Sequence, residues 1–215
     1  MSIMKPMLMI EKLQEVTDLQ GFITQAILKE EDIQNRKFID GIQRIEVQKI
    51  EIEKTMFQHC KCLNSVFHHT IFSDVIFEDC DFSNTNFASC SFVRVTFQNC
   101  KLIGSNFTEA MLYQVYIKSC NMRYSNFTNS HLKEVKFLET ILENSNFESL
   151  TNKKFSFENC NLIAASFFGT SLQTIDFSDS EIAGITVGVE DIKGAIVNTM
   201  QALELSKLLG IKIKE

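Results

Sequence analysis

The chain has no tryptophan, one proline and eight glycines in 215 residues. Gly and Pro are the usual punctuation between elements, so few ordinary turns are available and the chain must turn by other means. Positive charge is not in excess. The net charge of -6 gives no bulk attraction for nucleic acid, and no direct nucleic-acid contact is expected. Long apolar runs are also missing. The first, Met7 to Ile10, is too short for a signal-peptide core, and no later run reaches membrane-spanning length. A cytoplasmic protein without a membrane segment is therefore expected. Seven cysteines, an odd number, do not make a complete disulfide framework and are expected to be reduced thiols. No nucleophile–base pair, phosphate loop or paired-carboxylate site stands out, so neither an enzyme nor a cofactor is expected.

What the chain does have is a beat of five. Stepping from Ile42 gives Val47, Ile52, Phe57, Cys62, Phe67, Phe72, Phe77 and onward to Val197, thirty-two slots of which only Asn152 is polar. A second series of mostly small residues runs two positions earlier, among them Cys80, Thr85, Cys90, Val95, Cys100, Ser105, Ala110 and Cys120. Neither a helix of 3.6 residues per turn nor a strand of period two produces a period of five. A small and a large inward residue every five positions fits a coil with one short side per pentapeptide.

Quintets such as Thr85-Asn86-Phe87-Ala88-Ser89 and Ser105-Asn106-Phe107-Thr108-Glu109 resemble the pentapeptide-repeat family over about residues 40 to 197. The resemblance implies an all-β solenoid, a right-handed parallel β-helix of square cross-section with four pentapeptides per coil, so that residues twenty apart stack. The first face then stacks Phe77 and Phe97, and the third, opposite, stacks Phe87, Phe107, Phe127 and Phe147. Leu, Met and Ile fill the second and fourth in the later coils, which reads as volume matching in a narrow core. Cys80, Cys100 and Cys120 stack with Cys60 and Cys160 in one column. Thiols in a line lack the tetrahedral convergence of a zinc site, so they read as core and no metal is expected. Asn106 and Asn126 match glycosylation sequons, but the repeat generates that pattern itself; with Asn86 and Asn146 they are expected to form a corner hydrogen-bond ladder.

Both ends need caps, because an open β-helix exposes core and strand edges. Residues 1–39 are expected to be a helical cap or extension, with a capping box at Thr17 to Gln20 and helical spacing through Leu19, Phe22, Ile23, Ala26 and Ile27. Residues 40–197 form the β-helix, and 198–215 a capping and dimerisation helix with a short terminal strand. The helix should run from Thr199 to Leu209, capped by Asn198 with Gln201 and ended by Gly210. Met200, Leu203, Leu205, Leu208 and Leu209 are too many apolar residues for a solvated helix. Some should cap the coil and the rest bury against a second copy, giving a homodimer. One repeat is damaged: Asn152 takes a large slot while Leu150 and Phe155 take small ones, which reads either as a protrusion displaying Lys153 and Lys154 or as an imperfect coil.

The C-terminal module resembles that of the Qnr and MfpA branch of the family. That resemblance implies a DNA mimic that binds a type II topoisomerase, DNA gyrase or topoisomerase IV, and alters quinolone sensitivity. Charge supports global mimicry weakly. About eight coils rising ~4.8 Å each match a duplex length carrying roughly 22 charges, against a net -6 for residues 40–197. The distribution is more informative. Glu78, Asp79, Glu139, Glu158, Asp176 and Asp179 fall on the first face and form the candidate partner-binding surface, while Arg94, Lys133, Lys153, Lys154 and Lys193 make the fourth face mildly basic. The chain has no evident counterpart of the long Qnr loops. The alternative is a structural or adaptor module, or an immunity factor, with another protein partner.

Overall fold

The computed structural model describes residues 13–212. Its strands are β1 (Gln14–Val16), β2 (Ile33–Gln34), β3 (Arg36–Ile39), β4 (Glu46–Gln48), β5 (Glu51–Gln58), β6 (Val66–His68), β7 (Ile71–Glu78), β8 (Ser91–Val93), β9 (Thr96–Gln98), β10 (Met111–Tyr113), β11 (Tyr116–Lys118), β12 (His131–Leu138) and β13 (Thr151–Glu158). Helix α1 (Leu19–Lys29) lies near the start and α2 (Thr199–Leu205) near the end, followed by a 3₁₀ turn at Ser206–Leu209. Among the described residues the strand pairs are all parallel, and from β5 onward their partners are twenty residues apart. The fold is thus a parallel β-solenoid. Two faces carry continuous sheet, the fourth through β5-β7-β8-β10-β12-β13 and the first through β7-β9-β11-β12. The other two are joined by single bridges such as Lys101↔Asn121 and Asn106↔Asn126.

The scarcity of glycine is resolved at the corners. Every fifth residue from Lys49 to Thr174 has a positive φ, and only Gly104 and Gly169 among them are glycine. Left-handed backbone is strained for residues with a Cβ. Here most corners are fixed by the N–H bonding to a carbonyl of the next coil, as in Asp79 to Gln98 O at 3.0 Å and Glu139 to Glu158 O at 2.9 Å. The phase of these corners changes once, from Asn35 and Asp40 to Lys49. Ile42 pairs with Lys61, nineteen residues on, so the first coil is one residue short. Ile42 is consequently turned outward and is 75% exposed, although it begins the apolar series in the sequence.

Inside, the rings of Phe107 and Phe127 stack at 4.8 Å and 3°, and those of Phe127 and Phe147 at 5.0 Å and 4°. Phe77 and Phe97 stack at 4.8 Å on the first face. The two columns meet edge to face, as in Phe97 against Phe107 at 88°. Both arrangements suit the aromatic quadrupole. All six of Phe77, Phe87, Phe97, Phe107, Phe127 and Phe147 are buried, as are Cys80, Cys100 and Cys120.

At the damaged repeat β13 continues in the twenty-residue register through Leu132↔Asn152. There is no protrusion. Leu150 and Phe155 are buried in the small slots and supply the volume Asn152 lacks, while its Nδ2 donates to Ser171 O at 3.2 Å. The parallel ladder also starts before residue 40, where β1 pairs with β3 and β3 with β5. Helix α1 is capped by Asp18, whose carboxylate accepts from Gly21 N, one residue later than a cap at Thr17. Its Leu19, Ile23 and Ala26 join the solenoid core. A Cβ at Gly41 would lie 2.5 Å from Leu19 Cδ2 and 2.9 Å from Leu19 Cβ, so the absent side chain makes room for the helix.

Two stability outcomes follow. Phe107→Ala should cost about 3–5 kcal/mol in urea unfolding, because neighbouring stacked rings cannot collapse into the void. Gly41→Ala should cost about 1–3 kcal/mol by overpacking, with hydrogen-exchange protection lost first in α1. Protection in α1 equal to that of the parent would show that Leu19 does not depend on Gly41.

Candidate functional site

The acidic residues of the first face occupy three outward columns. Glu78 and Glu158 stand one residue after the inward Phe77 and Phe157; Asp79, Glu139 and Asp179 stand two after, and Asp176 stands one before Phe177. The structure does not bring the six together. Glu78 and Asp79 form one group, Glu139 and Glu158 a second, and Asp176 and Asp179 a third. Gln98 and Lys118, or Asn99 and Ser119, lie between the first two along the columns.

Each group is tied into its own coil neighbours. Glu78 accepts from Gln58 Nε2 at 2.9 Å and from Gln98 Nε2 at 3.4 Å. Asp79 accepts from Asn99 Nδ2 at 3.1 Å, and His59 Nδ1 lies 3.9 Å away. Glu139 accepts from Ser119 Oγ at 3.0 Å and faces Lys118 at 3.9 Å. Glu158 pairs at 2.6 Å with Lys136, whose side chain is nearly buried. Asp179 accepts from Ser180 Oγ at 3.0 Å. Neutral amides therefore hold the first group, while lysines partly neutralise the second. The first keeps the larger uncompensated negative charge.

The thiols are committed to the backbone. Cys80 donates to Phe57 O and Glu78 O, and Cys100 to Phe77 O and Gln98 O. Cys120 donates to Lys118 O. Burial pushes the Cys90 thiol up to about 12 and Cys160 to about 11. The bond to Cys100, with burial, raises Cys80, and burial together with the bond to Cys120 raises Cys100. Thiols held protonated at neutral pH are neither the nucleophile nor the metal-binding form. Among the described residues no three His, Cys, Asp or Glu side chains converge. The stacked asparagines are mostly turn elements. Asn106 Nδ2 reaches Asn86 Oδ1 at 3.1 Å, but the side-chain oxygens of Asn106 and Asn126 accept from Thr108 N and Thr128 N two residues on.

The C-terminal end divides its apolar residues. Leu205 packs against the core, whereas Met200 and Leu209 are 72% and 62% exposed and Leu203 and Leu208 are also exposed. Met200, Leu203 and Ile182 line one groove. Asn198 and Gln201 form the expected capping box, and Gly210 ends the segment at φ 70°. Gln201 does more than the sequence suggests. It is buried, and its Nε2 bonds Phe177 O at 2.8 Å and Ser180 O at 2.7 Å, closing carbonyls of the last coil. Ile211 and Lys212 are not in a strand, and the remainder of the expected terminal strand lies outside the described residues. Among the described residues no helix is long and apolar enough to cross a membrane.

Two family models match the chain, one for pentapeptide repeats in eight copies over residues 56–87 and one for a pentapeptide repeat region over residues 90–167. The chain belongs to the pentapeptide-repeat family. Among solved structures it is similar to a trypsin-treated variant of QnrB1, a plasmid-mediated fluoroquinolone resistance protein. The TM-score is 0.51 at 18% identity, covering 94% of this chain and 100% of that one. Full-length QnrB1 gives 0.46 at 15% identity, covering 92% and 95%. HetL, a pentapeptide repeat protein involved in heterocyst differentiation regulation in the cyanobacterium Nostoc sp. strain PCC 7120, gives 0.41 at 12%, covering 82% and 96%. At these identities the likeness is one of fold. No curated protein sequence matches the chain.

The acidic face carries one pH-dependent outcome. The Ser178 hydroxyl and backbone N–H hold the Asp176 carboxyl below its usual value. A depressed folded value favours the ionised form, so the contribution is present above the unfolded value of about 3.9 and is lost as pH falls through the folded one. Ser178→Ala should move the Asp176 titration, read by NMR, upward. An unmoved titration would rule out the hydroxyl as its cause.

Proposed function

We propose that the protein is a non-enzymatic binding protein that engages a type II topoisomerase through the first face, in the manner of the Qnr and MfpA branch, and modulates its response to quinolones. The observation that carries this reading is the Glu78–Asp79 group. It sets two carboxylates at a corner of the coil, fixed by amide hydrogen bonds, and among the described residues no lysine pairs with either. Such a pair presents fixed negative charge where a phosphate pair of duplex DNA would stand, without the partner having to order it. The solenoid shape shared with QnrB1 supports the same reading.

The grouping of the acids also favours a second reading. Three separated groups with Lys118 and Lys136 beside the middle one make a local recognition surface for another protein as well as they make a continuous DNA-like stripe. An adaptor or immunity factor would use the same Glu78–Asp79 pair. Dimerisation through the exposed Met200, Leu203, Leu208 and Leu209 is part of the proposal. Leu205 packs against the core, so the proposed contact is drawn from the other four.

Gyrase supercoiling titrated with the protein, with and without a quinolone, separates these readings. The topoisomerase reading requires supercoiling or drug inhibition to change at micromolar protein, and Glu78→Lys with Asp79→Lys should weaken that change at least tenfold. No change in either arm would leave the adaptor reading. The C-terminal contact is tested by sizing chromatography of Leu203→Lys, Leu209→Lys, which should run as a monomer where the parent is dimeric; a variant still dimeric would place the contact elsewhere.

A further inference from the structure

The sides of the first coil are not closed alike. On the first face β1 pairs with β3, and on the fourth Asp32 Oδ1 accepts from Glu51 N at 2.8 Å. On the third face β4 pairs with β6, and among the described residues no strand pairs with its other edge. Ile45 O and Lys49 N bond to β6. Alternate residues of a parallel pair face the same neighbour, so the backbone N–H and C=O groups of Glu46 and Gln48 point to the open side. Beyond that edge lies a groove, lined by Ile27, Glu30 and Asp32 at the end of α1 and by Glu46, Val47 and Lys49 from the coil. Glu46 is paired with Arg44 at 3.3 Å, whereas among the described residues no Lys or Arg pairs with Glu30 or Asp32. The groove therefore combines an open backbone edge, apolar side chains and residual negative charge. Such an edge is a template for an extended chain, with backbone bonds giving affinity and side-chain contacts giving specificity.

We propose that this groove takes the C-terminal tail of a second copy, Ile211-Lys212-Ile213-Lys214, as an added strand, so that copies join end to end. The tail alternates apolar and basic residues, so an extended backbone puts both isoleucines on one side and both lysines on the other. Ile211 is 51% exposed and, with Lys212, outside any strand. The isoleucines match Ile27 and Val47, and the lysines match Glu30 and Asp32. The chain's own tail cannot reach the groove. Val47 and Val187 lie seven twenty-residue coils apart on the same face, about 34 Å at ~4.8 Å per coil, while five residues after Gly210 span at most about 18 Å. Residues 1–12 are a poorer match, because Met7 to Ile10 is a continuous apolar run and Pro6 lacks the N–H that a ladder needs. A head-to-tail contact of this kind does not close after two copies. It uses the same end of the molecule as the C-terminal contact proposed above, so the two compete.

The experiment uses the full chain carrying Leu203→Lys, Leu209→Lys, together with a labelled peptide of residues 207–215. Fluorescence anisotropy should show saturable binding, and the amides of Glu46 and Gln48 should gain hydrogen-exchange protection when the peptide is bound. A peptide with Lys212→Glu, Lys214→Glu should bind roughly tenfold more weakly, and Glu30→Lys, Glu46→Lys in the protein should recover its binding. Circular dichroism checks that the protein variants are folded. Without peptide, sedimentation velocity should show species larger than a dimer as the concentration of the full chain rises, and Lys212→Glu, Lys214→Glu in the chain should remove them. The proposal is overturned by a reversed peptide that binds as well as the parent one, by binding that leaves Glu46 and Gln48 unprotected, or by a chain that never exceeds a dimer. A parent peptide that does not bind would also overturn it, and would leave the edge to residues 1–12.

Discussion

Everything in this structure depends on the left-handed corner that recurs every five residues. A chain that must turn after five residues, keep two side chains inside and still pair its backbone with the coil above has few backbone solutions. Placing one residue in the left-handed region supplies the turn, and that residue's N–H then points to a carbonyl of the next coil. Such a residue with a Cβ costs on the order of 1–3 kcal/mol when isolated. Here the same residue makes a ladder bond that would otherwise be an unpaired donor, which offsets that cost. The corners therefore fix the pitch, and the pitch fixes the twenty-residue columns on which the core and both sheet faces are arranged.

The core was legible because its chemistry is extreme. Fifteen of the nineteen phenylalanines fall on one five-residue beat, which leaves few arrangements that bury them, and twenty-residue stacking follows once four short sides close a coil. The slip near Arg44 was not legible for an equally physical reason. Ile42 is apolar and sits in frame, while Gln43 is polar, so hydrophobicity points to the wrong one of two neighbours. The backbone phase shows the difference and the side chains conceal it. At Asn152 the error runs the other way, because one polar residue in a large slot looks like a break. Only the joint placement of Leu150 and Phe155 reveals that the volume is conserved across the coil. The corners themselves were hidden because Lys, Glu, Arg and Tyr hold positions where Gly or Asn would have signalled a left-handed turn.

For the surface, the sequence assigned residues to columns but not to partners. Columns follow from counting, and the acidic residues do lie on the first face. Their charge state as a surface depends on what stands twenty residues above and below. Gln58 and Gln98 flank Glu78 and leave its charge in place; Lys136 pairs with Glu158 from a neighbouring column and removes much of it. What counting could not supply was which charges are already satisfied by ion pairs at the corners, as Glu53 is by Lys54 at 2.7 Å and Asp74 by Arg94 at 2.6 Å.

A solenoid of this kind recognises by position and not by adjustment. Its outward side chains hang from paired strands at a spacing set by the backbone, so a partner that matches two neighbouring columns pays little to order them. The same rigidity makes a mismatch costly, because a column cannot shift one side chain without disturbing the corner beneath it. Function on such a scaffold is therefore concentrated where a column breaks its own pattern. Glu78 and Asp79 interrupt a stretch otherwise made of Gln58, His59, Gln98 and Asn99. That break stands on a face with continuous sheet, where the backbone is paired strand to strand and the side chains are firmly aimed. The bridge-linked faces, lined by asparagine and threonine that satisfy one another, direct their hydrogen bonds inward along the coil and leave less for a partner.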